Sequence, residues 1–181
     1  MKWLVYVMTF GLIACSSQSN RLDPIQEQKI QPFLGTWYEI VRQDHAFEEG
    51  LTNVTATYSL QKDDTITVLN KGYSALDRDW REARGKASYV ASSNAGHLKV
   101  SFFGPFYGAY VIFELDSRNP QYATIAGPNK EFFWLLSRRP QMPVGDQQRI
   151  LREAMSLGFS MDKLVQVSHA KVPTPKTSLN D

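Results

Sequence analysis

The sequence predicts an all-β fold: an eight-stranded antiparallel up-and-down barrel with one C-terminal α-helix packed on its outside. Three observations predict it. The hydrophobic period is two from Thr36 to Arg138; turn-forming residues interrupt it at short intervals; and the period changes to that of a helix only after Pro143. A chain of 181 residues suits one domain with short tails.

The elements follow in order. Trp37 to Arg42 is the first strand, and Thr52 to Gln61 alternates almost without fault. Val54, Ala56, Tyr58 and Leu60 share one side of that segment, with Thr55, Thr57 and Ser59 on the other. Asp63-Asp64 marks a tight turn into Thr65 to Tyr73, where Ile66 and Val68 face alike. Arg81 to Ala91 carries Ala83, Gly85, Ala87 and Tyr89 on one face, and Gly96 to Phe103 carries Leu98, Val100 and Phe102. Tyr107 to Asp116, Tyr122 to Gly127 and Glu131 to Arg138 complete the meander, separated by Gly104-Pro105, Arg118 to Pro120 and Gly127 to Asn129. Eight strands suit a barrel that holds one small ligand, and closure removes exposed edges. Periodicity alone leaves a two-sheet sandwich open. Asp146 to Leu157 then places Ile150, Leu151, Ala154 and Met155 at helical spacing, with Gly158 as the stop. Lys163 to Ser168 reads as a short final strand.

The two ends differ from this middle. Lys2 precedes a nearly all-apolar run from Trp3 to Ala14, too short to span a bilayer but suited to the core of an export signal. The run ends in Leu12-Ile13-Ala14-Cys15 and a polar stretch. That junction resembles the bacterial lipobox, which implies a signal peptide over residues 1–14 and acyl chains on Cys15. Several acyl chains on one residue make a lasting anchor, at ~0.8 kcal/mol per buried methylene. Ser16, where aspartate would argue for inner-membrane retention, implies the outer membrane, with the domain facing the periplasm. A secretory signal cleaved nearby, leaving a free thiol, is the competing reading. Residues 15–30 then form an acylated N-terminus and tether, 31–170 the folded domain and 171–181 a loose tail.

Specific motifs add a family resemblance. Gly35-Thr36-Trp37-Tyr38-Glu39-Ile40 opens the first strand, Leu115-Asp116-Ser117 with Tyr122 to Gly127 comes later, and Phe133 to Arg138 ends the meander. In that order the three segments resemble the conserved regions of the lipocalins, although Leu115 stands where threonine is usual. Leu69 to Tyr73 and Phe102 to Tyr107 are similar to the bacterial branch of the family, close to apolipoprotein D. The likeness runs from about Phe33 to Val167. It implies that Gly35, Trp37 and Arg138 are structural: the tryptophan plugs the closed end and the arginine lies across its indole.

With Trp37 inward, period two turns Glu39 and Val41 inward as well. The same parity makes Val54, Ala56, Tyr58, Ile66, Val68, Leu98, Val100 and Phe102 candidate pocket residues. The resemblance implies pocket aromatics at Tyr58, Tyr110 and Trp134. Leu136 shares the parity of Trp134, whereas Phe133 and Leu135 would meet the helix. Ala56, Ala83, Gly85 and Ala87 are small and leave volume for a ligand, although parity cannot tell a cavity wall from a solid core. An apolar interior with tyrosine hydroxyls favours fatty acids or lysophospholipids. An inward Glu39 needs a partner or a proton, and a structural pairing near the barrel floor is expected.

Other functions find less support. Twenty Lys and Arg against 18 acids give a net charge of +2, with no concentrated basic patch for nucleic acid. The three histidines are scattered without zinc-ligand spacing, no Gly-x-Ser-x-Gly elbow is present, and the one cysteine serves the anchor. No enzyme activity, metal or cofactor is expected. Glu48-Glu49-Gly50 reads as a solvated acidic loop. A non-binding structural envelope lipoprotein and, behind it, a lipid-modifying enzyme are the alternatives. The aromatic stretch Phe102 to Tyr110 leaves a homodimer interface near the barrel mouth open.

Overall fold

A computed structural model of the chain describes residues 24, 30–90, 96–115 and 120–172. The signal-peptide and Cys15 readings, most of the tether and tail, and residues 91–95 and 116–119 lie outside those residues.

Among the described residues the fold has nine strands and one α-helix: β1 (Gly35–Gln43), β2 (Leu51–Leu60), β3 (Ile66–Ser74), β4 (Asp79–Tyr89), β5 (His97–Ser101), β6 (Gly108–Leu115), β7 (Tyr122–Ala126), β8 (Phe133–Ser137), α1 (Val144–Ser156) and β9 (Leu164–Gln166). Each of β1 to β8 pairs antiparallel with the next, and β8 returns to β1, so the sheet closes on itself. This is the expected barrel rather than the sandwich. The strands carry the Val, Ile, Thr and Tyr residues that fit a pleated, half-buried surface.

The pairing of β1 changes along its length. Its first half pairs with β2 from Gly35↔Tyr58 to Tyr38↔Thr55, and its second half pairs with β9 from Val41↔Gln166 to Gln43↔Leu164. The change coincides with a bulge: Glu39 faces Leu136 on β8, yet Val41 faces Leu135, leaving Ile40 as an extra residue. A one-residue insertion exchanges the two faces of a strand. Val41 therefore turns outward into the cluster that packs under α1, contrary to the unbroken parity expected for it, and Arg42 turns inward.

Two hydrophobic clusters result. Inside the barrel, Ile30, Phe33, Trp37, Ile66, Ile112 and Ile125 form a floor. Outside it, Ile40, Val41, Phe133, Leu135 and Phe159 pack against Ile150 and Ala154 of α1. Phe133 and Leu135 thus meet the helix. Met155, read as part of the apolar stripe, is instead exposed, because the apolar contact of α1 with the barrel runs through Ile150, Ala154 and the half-buried Leu151.

The floor is sealed by a short 3₁₀ turn, Gln31–Phe33, which hydrophobic periodicity does not reveal. Phe33 stacks on Trp37 with ring centroids 5.4 Å apart and meets Tyr58 at 4.5 Å. The Trp37 indole N–H donates to the Phe33 carbonyl at 2.7 Å. Above the fully buried indole lies the Arg138 guanidinium, 3.6 Å from the ring centroid. Its Nη1 donates to the Thr36 carbonyl at 2.9 Å, and Nη2 to those of Pro32 and Leu34 at 2.8 Å. Glycine is required at position 35 by its backbone, whose φ of +93° side-chain-bearing residues rarely adopt. Arg138→Ala should lower the free energy of unfolding by about 1–3 kcal/mol, combining the lost cation–π contact with three stranded carbonyls. Urea unfolding checks this, and Arg138→Lys should restore only part of the loss because it lacks the planar fork.

Candidate ligand cavity

Above the floor the barrel is not filled. A chamber of about 230 Å³ remains, and its wall includes Val54, Ala56, Tyr58, Val68, Ala87, Leu98, Val100, Phe102, Tyr110, Trp134 and Leu136. Ile66, the remaining residue of the expected wall, is elsewhere. It opens β3 at the closed end and is buried in the floor cluster with Trp37 and Phe33, so correct parity placed it inside but too deep. Gly85 also departs from expectation. A Cβ there would stand 2.9 Å from the Phe102 ring and the Ser101 carbonyl, so the missing side chain seats Phe102 and leaves no ligand space.

A second chamber, of about 410 Å³, lies toward the mouth. It is lined by Leu51, Gly72, Ala83, Phe103 and Phe106, with Lys71, Arg81 and Glu82 at its edge. Phe47, Glu48, Val54, Asn70 and Phe102 border both chambers, which therefore adjoin. Asn70 Oδ1 is buried there without a hydrogen-bond partner.

One side of the deep chamber is polar. Inward Arg42 donates from Nη1 to Glu39 Oε1 at 2.8 Å and from Nη2 to the Glu48 carbonyl at 2.7 Å. The Trp134 indole N–H donates to Glu48 Oε2 at 3.1 Å, and His45 Nε2 lies 3.5 Å from the same oxygen. The loop that reads as solvated acids thus folds Glu48 into the barrel, 5% exposed, while Glu49 stays outside. No local pattern signals this, because the partners of Glu48 are Trp134, distant in sequence, and an arginine placed by the bulge. Glu39 is paired as expected, but it lines the chamber rather than the floor. In the same chamber the Tyr58 and Tyr110 hydroxyls share a 2.5 Å hydrogen bond.

Protonation follows from this crowding. Burial, reinforced by the charge of Glu48 and opposed by Arg42, pushes Glu39 up to about 8. Burial also raises Glu48, against its bond from Trp134 and the charge of Arg42. Burial and then Arg42 push His45 down to about 4, so it is neutral at physiological pH. Burial raises both tyrosines, which remain hydroxyls. The chamber therefore offers apolar walls, donor and acceptor hydroxyls and a proton-bearing carboxyl. These are means of holding an amphiphile.

A closed barrel with an external helix and an interior chamber is the architecture of a lipocalin, and comparisons with known proteins agree. Residues 29–169 match the family model described as "Lipocalin-like domain". The chain belongs to the lipocalin family, whose barrels bind small hydrophobic ligands. It is similar to the "Outer membrane lipoprotein Blc" of Vibrio cholerae, 46% identical over 156 residues that cover 86% of this chain and 91% of that one. Blc of Escherichia coli K12 is 41% identical, with coverages of 87% and 90%. Mouse apolipoprotein D is 30% identical, with coverages of 83% and 82%. Among solved structures, insecticyanin from the tobacco hornworm Manduca sexta superposes with a TM-score of 0.66 at 16% identity, covering 83% of this chain and 86% of that one.

The raised carboxyl has a testable consequence. Folded Glu39 keeps a proton that the unfolded chain releases above its ordinary value of 4.5, so its contribution to stability falls as pH rises toward about 8. His45 acts in the opposite direction, but only between about 4 and 6.5. From pH 6.5 to 8 the melting temperature should therefore decline. Glu39→Gln should flatten most of that decline in calorimetry across the interval, and an unchanged slope would contradict the assignment.

Proposed function

We propose that the chain binds one single-chain amphiphile, a fatty acid or a lysophospholipid, in the barrel while anchored to the outer membrane through acyl chains on Cys15. The observation that carries the reading is the unfilled apolar chamber above a sealed floor. A hydrocarbon chain entering it leaves water against Val, Leu, Ala and aromatic side chains, a gain of ~25 cal/mol per Å² of apolar surface buried. The polar group of the ligand then reaches the junction of the two chambers, where Asn70 Oδ1 needs a donor. A lysophospholipid supplies one in its glycerol hydroxyl; an ionised fatty acid does not. This favours the lysophospholipid.

Location follows the same reasoning. The two Blc proteins are named outer membrane lipoproteins, and the lipobox-like junction at Cys15 supports the same anchoring here, with residues 1–14 as signal peptide and the domain facing the periplasm. The role is that of a carrier or store for lipid fragments rather than a catalyst.

Ala87 offers a direct test because it is buried in the chamber wall and small. Ala87→Phe projects a ring into the space an acyl chain would use. Fluorescence titration with a labelled single-chain lipid should show affinity weakened roughly tenfold or more, about 1.4 kcal/mol, with an unaltered circular dichroism spectrum. Equal affinity in a folded variant would place the ligand elsewhere.

A further inference from the structure

The exposed large hydrophobic side chains are unevenly distributed. Val90, Val144 and Met155 are scattered singly, whereas Phe47, Leu76, Trp80, Phe103, Phe106 and Tyr107 all lie at the open end of the barrel. They occupy three separate connections, β1–β2, β3–β4 and β5–β6, or the strand end beside one. Leu76 is 90% exposed, Phe106 80% and Phe103 78%. Scattered apolar side chains are ordinary, but a ring of them around an opening marks a contact surface.

We infer that this rim docks on a lipid bilayer, so that the mouth of the cavity opens directly onto the leaflet that supplies or receives its ligand. Three observations select a bilayer. Phe47, Phe103 and Phe106 belong at once to the rim and to the wall of the outer chamber, so the apolar surface continues from the loop tips into the cavity. A lipid tail can follow it without crossing water. Two cations beside the rim are already paired, Lys71 with Glu82 at 3.0 Å and Arg81 with Asp77, while Arg78 is exposed between Leu76 and Trp80. Docking is therefore carried chiefly by the apolar side chains. The tether also reaches: Ile30 sits in the floor cluster at the closed end, and the fifteen residues from Cys15 to Ile30 span at most roughly 50 Å when extended. The nine-residue β1 rises only about 30 Å. An anchored barrel can thus turn its mouth to the membrane that holds its own acyl chains. A second copy would instead cap the opening.

The inference rests on the proposed anchoring, and one experiment separates the two. The acylated protein is reconstituted in phosphatidylcholine vesicles with an environment-sensitive fluorophore on Leu76→Cys or, at the closed-end β2–β3 turn, on Lys62→Cys. Acylation of Cys15 leaves the introduced thiol as the sole labelling site. Spin-labelled phosphatidylcholine should quench the label at Leu76 and leave the label at Lys62 bright. Phe103→Ser with Phe106→Ser should abolish the quenching while the protein still floats with the vesicles. Equal, unquenched emission at both positions would overturn the docking and leave the anchor intact. A blue-shifted but unquenched label at Leu76 would overturn it in favour of a second copy covering the rim. Failure to float would overturn anchor and docking together.

Discussion

The Arg138 guanidinium lying over Trp37 is the interaction on which the rest of the structure depends. It joins the end of β8 to the start of β1, and its bonds to the Pro32, Leu34 and Thr36 carbonyls hold the 3₁₀ turn across the barrel floor. A barrel sealed at one end and lined with small side chains above the seal contains space with a single door. Phe33, stacked on Trp37 and against Tyr58, completes the seal. The pair makes the fold a container and performs no chemistry.

The second constraint is the bulge at Ile40. Below it, β1 alternates regularly, with Trp37 and Glu39 inward; above it, the parity is exchanged and Arg42 enters the barrel. An inward guanidinium requires acceptors in a dry place. Glu39 and the folded-in loop carrying Glu48 provide them, and the Trp134 indole N–H donates in turn to the Glu48 carboxyl. One extra residue thus organises the polar side of an otherwise apolar chamber and allows β9 to take over from β2 at the edge of β1. It also sets the protonation of Glu39, because burying two carboxyls beside one cation leaves too little positive charge for both to ionise cheaply.

The alternation of Val54, Ala56 and Tyr58 against Thr55 and Thr57 made the strands legible, because a half-buried sheet writes its two faces into the sequence. The same period gave most of the chamber wall. It could not give depth along the barrel axis, and so Ile66, inward but at the floor, looks the same in sequence as Val68 one pair higher. Nor could it give an interruption of the period: Val41 and Arg42 are exchanged by a bulge that no glycine or proline announces. Glu48 was illegible for a third reason, since what buries it is contact with Trp134, far along the chain. Gly85, read as ligand space, shows that a small residue reports only that something approaches closely, here Phe102. Tertiary contacts, rather than weak local signals, account for each of these differences.

An apolar floor lies beneath two adjoining chambers with largely apolar walls, and the membership of the chain in the lipocalin family agrees with a container for hydrophobic molecules. The most direct test is native mass spectrometry of the protein with lysophospholipid and with free fatty acid of matched chain length. A saturable adduct of one lipid per barrel, favouring the lysophospholipid, is the predicted result. A chain that carries neither lipid under conditions where the barrel stays folded would contradict the central claim that the unfilled chamber is a binding site.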